Sequence, residues 1–212
     1  MIYEIRTYGL KVGSLGEVEK RFGEAIEHRQ KYSPLAAFWH TEIGPLNEII
    51  HVWGYKDLAE RDKIRAAAVK DGVWPPKIGE FIVTQQSDIL HPFSFAPEIK
   101  PGKVGPYFEI RTYTYMGGEL PVIKKTWEAA LPHRLKFGPI VTCGNTDLGS
   151  ISKFIHIWPY KSLDERIKMR EDIRKTGNWP PSELAKKSGG RGYNLHFQEN
   201  KIVMPSAFSP LQ

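Results

Sequence analysis

A chain of 212 residues with 41% hydrophobic and 25% charged side chains has globular proportions, which excludes wholesale disorder. Its single cysteine, Cys143, excludes an intrachain disulfide and a cysteine-rich zinc site, and no apolar run approaches the roughly 20 residues of a membrane helix, so no membrane partner is expected. The net charge of +6 lies wholly in the second half, since residues 1–105 carry 14 basic and 14 acidic side chains and residues 106–212 carry 16 and 10. Without a lysine-rich tail or an RNA-binding aromatic motif, that excess argues for a solvated surface or an anionic ligand and against nucleic acid.

Ile2–Leu10 alternates and is rich in β-formers, predicting a strand. Neither a basic apolar leader nor an amphipathic one precedes it, so a cytoplasmic location is expected. Ser14-Leu15-Gly16-Glu17 has the spacing of a capping box, and Leu15, Val18, Phe22, Ala25 and Ile26 follow it as one helical stripe. His28, Arg29 and Lys31 fall in the last turn, where positive charge complements the helix dipole. Leu35–Ile43 and Glu48–Tyr55 are predicted strands around a Gly44–Asn47 turn. Asp57-Leu58-Ala59-Glu60 opens a second helix, which Trp74-Pro75-Pro76 ends while starting a short further one. A last strand runs from Val83 to His91.

The whole series then returns 105 residues later. Tyr3-Glu4-Ile5-Arg6-Thr7-Tyr8 recurs as Phe108-Glu109-Ile110-Arg111-Thr112-Tyr113, His28-Arg29 as His133-Arg134, Ile50-His51-Val52-Trp53 as Ile155-His156-Ile157-Trp158, and Trp74-Pro75-Pro76 as Trp179-Pro180-Pro181. Of the 74 positions paired from Tyr3 to Pro76, 30 are identical without a gap. Eight extra residues near Ser182–Tyr193 precede the matching tails, Ser94-Phe95-Ala96-Pro97 and Ala207-Phe208-Ser209-Pro210. Two long repeats imply two domains, residues 1–98 and 107–212, joined by a Pro/Gly-rich linker at 99–106.

The order β-α-β-β-α-β is that of a ferredoxin-like unit. On its first strand Glu4, Arg6 and Tyr8 share one face; on its third, His51, Trp53 and Tyr55 do. This face is too aromatic for water and too charged for a plain core. The aliphatic faces are therefore expected under the helices and the polar–aromatic faces inward. The expected fold class is α+β: two ferredoxin-like βαββαβ repeats fused in tandem, their sheets facing to form a dimeric-type α/β barrel.

Tyr3–Tyr8, Phe38–Asn47, His51–Tyr55, Leu58–Arg61 and the Phe-Ser-Pro type tails make the chain resemble tandem NIPSNAP-domain proteins of the dimeric α/β-barrel superfamily. The first copy is the closer match, because the second carries Cys143-Gly144-Asn145 in place of Phe38-Trp39-His40. The resemblance implies the fold more than an activity, since the family has no generally established one.

His51 and His156 are the candidates for acid/base work, against the alternative of neutral core histidines. Glu4 with Arg6, and Glu109 with Arg111, either orient those histidines or pair for their own sake. Tyr8, Trp53 and Tyr55, and Tyr113, Trp158 and Tyr160, either stack on a flat ligand or fill the barrel. Phe38 and His40, absent from the second copy, would leave one pocket blocked and its mate open. Arg29 or Arg134 near the barrel mouth is a candidate for holding an anionic group, and Ser188–Gly192 for a flap over that mouth. No metal site and no cofactor are expected. The function expected is binding of a small apolar or aromatic molecule in the barrel. As an alternative, the resemblance implies a cofactor-independent oxygenase, isomerase or cyclase using a barrel histidine, and beyond that a haem protein with His28 or His133 as axial ligand. A homo-oligomer of the fused pair is a further expectation.

Overall fold

The computed structural model describes residues 1–70 and 72–212. Contacts divide it into two compact units, one of Met1–His91, Ile99–Lys103 and Lys201–Gln212, the other of Pro92–Glu98 and Val104–Asn200.

In the first unit β1 (Ile2–Leu10) lies between β3 (Glu48–Tyr55) and β4 (Ile82–Pro92), and β2 (Leu35–Ile43) pairs the far side of β3, all antiparallel. The register sets Glu4 beside Trp53 and Arg6 beside His51. Helix α1 (Leu15–Gln30) buries Val18, Phe22, Ala25 and Ile26 of the predicted stripe, with Leu15 half-buried, together with Arg29. Its start departs from the capping box: Ser14 has helical backbone angles, and its hydroxyl turns back to donate to the Lys11 carbonyl at 2.6 Å. Helix α2 (Leu58–Ala68) is capped as its sequence predicts, the Asp57 carboxylate accepting from the Glu60 amide at 2.8 Å.

The second unit repeats this plan with β5 (Tyr107–Tyr115), α3 (Leu120–Leu135), β6 (Thr142–Thr146), β7 (Lys153–Tyr160) and α4 (Leu163–Lys175). Ser162 caps α4 through the Glu165 amide at 3.0 Å. The predicted helix after the Trp-Pro-Pro motif forms only here, as α5 (Pro181–Lys187); in the first unit that stretch holds a single 3-10 turn, Gly79–Phe81. Strand β8 (Leu195–Pro205) runs from the second unit into the first, where Ile202–Pro205 pairs with β2.

Repeats and compact units part company at the tails. The tail of the second repeat packs in the first unit, Phe208 against Phe38 with ring centroids 4.8 Å apart, and the Phe38 amide donates to the Ser209 hydroxyl at 2.9 Å. The tail of the first repeat packs in the second unit, Phe93 stacking on Phe154 at 5.4 Å. Each tail thus supplies aromatic surface to a core that its own repeat does not hold.

Candidate anion-binding cavities

The polar–aromatic face lies beneath the helices of its own unit, and not turned away from them as expected. Phe22 of α1 touches Phe38 and His51, and Arg61 and Arg65 of α2 reach down to Glu4. The expectation of an inward polar face fails for a physical reason. The underside of α2 is cationic and needs a carboxylate beneath it, while the opposite face, of Tyr3, Ile5, Ile50 and Val52, is as fully buried as the other. Burial alone does not tell the two faces apart.

Glu4 has no solvent exposure and accepts from Arg6 (2.9 Å), Arg61 (2.6 Å), Ser87 (2.9 Å) and, longer, Arg65 (3.4 Å). Burial by itself would raise its carboxyl, but Arg61, Arg65 and Arg6 outweigh that and hold it at about 2. One carboxylate therefore lies at the centre of three guanidinium groups, with Asp62 reaching Arg61 from the surface at 2.7 Å. A fourth guanidinium, that of Arg29, is 2% exposed and has no carboxylate within ion-pair distance among the described residues. It donates to the hydroxyls of Ser33 (2.9 Å) and Tyr55 (3.0 Å) and stands 4.2 Å from the centre of the Trp53 ring. Its burial lowers its pKa, with Arg65 adding to the effect against the pull of Tyr55 and Glu4. The cluster carries more positive than negative charge in a largely dry setting.

His51 completes the wall. Its Nδ1 accepts from the Trp53 indole N–H at 2.7 Å, which places the ring proton of the neutral imidazole on Nε2. Burial, with Arg6 adding to it, lowers its pKa to about 3, so the ring is neutral at physiological pH. Nε2 is buried without a hydrogen-bond partner among the described residues. Between sheet, helix ends and the Trp74-Pro75-Pro76 loop lies a cavity of about 280 Å³ walled by Arg6, Tyr8, Arg29, His51, Trp53, Arg65 and Trp74. An apolar cavity of about 150 Å³ already admits benzene, so there is room for a ring bearing an acidic group.

The second repeat rebuilds the site. Glu109 accepts from Arg111 (2.7 Å) and Arg166 (2.6 Å), with Arg170 at 3.8 Å, and these guanidinium groups overcome its burial and lower its carboxyl. Arg134 stands 4.3 Å from the Trp158 ring centre, and Trp158 donates to His156 Nδ1 at 2.6 Å. His156 is lowered well below the ordinary imidazole range by burial and the surrounding arginines, and its Nε2 is likewise without a partner among the described residues. The cavity here is about 180 Å³, walled by Arg111, Tyr113, Arg134, His156, Trp158, Tyr160, Arg170, Arg174 and Trp179.

Of the predicted site residues, Arg6, Tyr8, His51 and Trp53 meet in the first cavity, and Arg111, Tyr113, His156, Trp158 and Tyr160 in the second. Glu4, Glu109 and Tyr55 support the walls from behind. Phe38 stacks on the far side of His51 at 5.6 Å. The open-and-blocked asymmetry does not arise: Phe154, stacked on His156 at 5.1 Å, and Trp127 in place of Phe22 fill the space that Phe38 leaves for Cys143. His40 is not in the cavity; its Nδ1 meets Glu19 at 2.9 Å, and that contact raises its pKa. The predicted flap packs on α3, where Ser188, Gly190 and Arg191 line a groove and wall neither of the two cavities, with Arg191 paired to Glu119 and the Trp127 indole donating to the Tyr193 hydroxyl at 3.3 Å. The helix histidines of the haem reading stand elsewhere: His28 faces Tyr32, and His133 lines a groove of about 730 Å³ between α3 and α5. Among the described residues no cluster of metal ligands forms, and no helix is long and apolar enough to cross a membrane. Arg61, Arg65, Arg166 and Arg170 escaped sequence-based selection as site residues, although both pairs recur at the 105-residue offset.

Twin α/β units, each with its sheet face under two helices, define the dimeric-type α/β-barrel class. A solved structure from Fusobacterium nucleatum, named a "putative monooxygenase", shares this fold over 97% of the chain and 92% of its own length, with a TM-score of 0.68 and 10% identity. The NIPSNAP family model matches residues 3–97 and again 108–210, and the chain belongs to that family. Human Protein NipSnap homolog 3A is 27% identical over 100% of this chain and 86% of its own, and human Protein NipSnap homolog 2 is 31% identical over 100% and 75%.

Proposed function

We propose that each repeat binds a small organic anion with a flat unsaturated body in the cavity between its sheet and helices. The observation that carries this reading is the uncompensated guanidinium: Arg29 is buried beside Trp53 with only hydroxyl hydrogen-bond partners among the described residues, next to three other arginines that already share the buried carboxylate of Glu4. A buried charge is costly without a counter-charge, and a ligand carboxylate or phosphate supplies one with charge-assisted bonds. The Nε2–H of His51 is a donor for the same anion or for a neighbouring carbonyl, and the indole rings of Trp53 and Trp74 offer stacking surface. Binding of a small aromatic molecule is thus retained from the sequence reading, moved beneath the helices and given an acidic group.

An oxygenase, isomerase or cyclase mechanism would ask His51 to take a proton. An imidazole that protonates only near pH 3 is a weak base at neutral pH, so its contribution is a hydrogen bond.

Titration calorimetry with benzoate tests the proposal on the full chain. The native protein is expected to bind, and the Arg29→Met, Arg134→Met double variant to lose at least tenfold in affinity, the order of one charge-assisted hydrogen bond at each site. Equal binding by the two proteins refutes it.

A further inference from the structure

The charged walls of the two cavities differ at one equivalent position, and the difference is a full charge. Val69, at the C-cap of α2, lines the first cavity, and the residue 105 places on, Arg174 in the last turn of α4, lines the second. The remaining charged wall is matched: Arg6, Arg29 and Arg65 in the first, and Arg111, Arg134 and Arg170 in the second. Behind each lies one buried carboxylate, Glu4 or Glu109. Arg174 has no carboxylate within ion-pair distance among the described residues, while the neighbouring Lys175 is taken by Asp172 at 3.0 Å. The second cavity is also the smaller, about 180 Å³ against about 280 Å³.

Resting on the proposed anion binding, we infer that the two sites are divided by ligand charge. The second takes a dianionic group, a phosphate monoester on a compact body, and the first takes a monoanion, a carboxylate on a larger apolar body. The physical ground is the fourth guanidinium. A dianion carries one more negative charge than a carboxylate, Arg174 adds one positive charge to the three that both walls share, and a planar guanidinium matches phosphate oxygens in pairs. In the first cavity the same place is occupied by a valine, which favours ligand hydrocarbon and offers the extra charge nothing. Because Arg174 is exposed at the rim, its attraction is partly screened, and an effect of about fivefold is the scale of such a pair.

The ligand itself supplies the switch for a test. A phosphate monoester passes from monoanion to dianion with a pKa of about 6. The other groups facing the second cavity hold their charge between pH 5 and 7.5: the arginines stay protonated, His156 stays neutral, Glu109 stays ionised and the Tyr160 hydroxyl, raised by burial, stays neutral. In the first cavity His51, Glu4 and Tyr55 do the same. Phenyl phosphate and benzoate are titrated calorimetrically at pH 5.0 and 7.5 into full-length protein with one site silenced, by Arg29→Met to isolate the second and by Arg134→Met to isolate the first. The isolated second site is expected to bind phenyl phosphate about fivefold more tightly at pH 7.5 than at pH 5.0. Arg174→Val abolishes that gain, while its effect on benzoate, which carries one charge at both pH values, is the same at pH 5.0 and 7.5. The isolated first site shows no gain until Val69→Arg installs it. The inference is overturned if both sites gain equally, or if Arg174→Val leaves the phosphate response intact. If neither ligand binds at either site, anion binding itself fails, a result distinct from the other two. Both reciprocal substitutions lie at exposed rim positions, and far-UV circular dichroism verifies that each variant is folded before titration.

Discussion

Replacing His51 with phenylalanine tests the electrostatic picture of the cavity directly. In the folded chain the imidazole protonates only at about 3, whereas its ordinary value is 6.5. Between those values the unfolded chain binds the additional proton, so acid favours unfolding; the stability lost this way is regained as pH rises through 6.5. At pH 4.5, two units below the ordinary value, this linkage costs the native protein about 3 kcal/mol, at roughly 1.4 kcal/mol per unit. The His51→Phe variant carries no such liability, but it strands the Trp53 indole N–H that His51 accepts at 2.7 Å, a loss of about 1–3 kcal/mol at every pH. The native protein should therefore be the more stable at pH 7.5, and the difference should vanish or change sign by pH 4.5. Urea unfolding followed by circular dichroism at pH 7.5, 6.0, 5.0 and 4.5 measures this, and the difference between the two proteins cancels the groups that titrate alike in both. A gap that stays constant across that range would refute the claim that the ring is held neutral by burial among arginines.

Glu4→Gln leaves Arg6, Arg61 and Arg65 without their shared carboxylate and should destabilise by about 3–5 kcal/mol in denaturant unfolding, the cost of an uncompensated buried charge; a loss below 1 kcal/mol would mean that solvent already neutralises the cluster. Phe208→Ala removes a ring packed on Phe38 and should cost about 3 kcal/mol, although the residue lies in the tail of the other repeat. Cys143 is fully buried, and desolvation pushes its thiol up to about 12, so Ellman's reagent should label it only on the unfolding timescale; rapid labelling in native buffer would show the core of the second unit to be open.

Much of the fold was legible in the chain because its evidence is local or repeated. Alternation gives β1, β2 and β3 their limits, and Asp57 and Ser162 mark the starts of α2 and α4. Where a local signal failed, a backbone angle decided: Ser14 has the capping residue type, but its helical conformation turns the hydroxyl toward Lys11. The candidate site was legible in part. His51, Trp53, Arg6 and Tyr8 stand out by face and by recurrence, and Arg29 by recurrence alone. Arg65 and Arg170 look like ordinary members of charged surface helices until those helices are laid on the sheet.

The sequence by itself determined that two copies of one βαββαβ unit exist, and which side chains share a face of each sheet, because a period of two and an offset of 105 residues are properties of the chain. Which face the helices cover was decided only in three dimensions. Both faces are buried and both carry large apolar groups, so alternation assigns residues to sides without ranking the sides. The choice falls to a long-range pairing: Arg61 and Arg65 of α2 meet Glu4 of β1 some 57 and 61 residues away, and that charge match draws the polar–aromatic face beneath the helices.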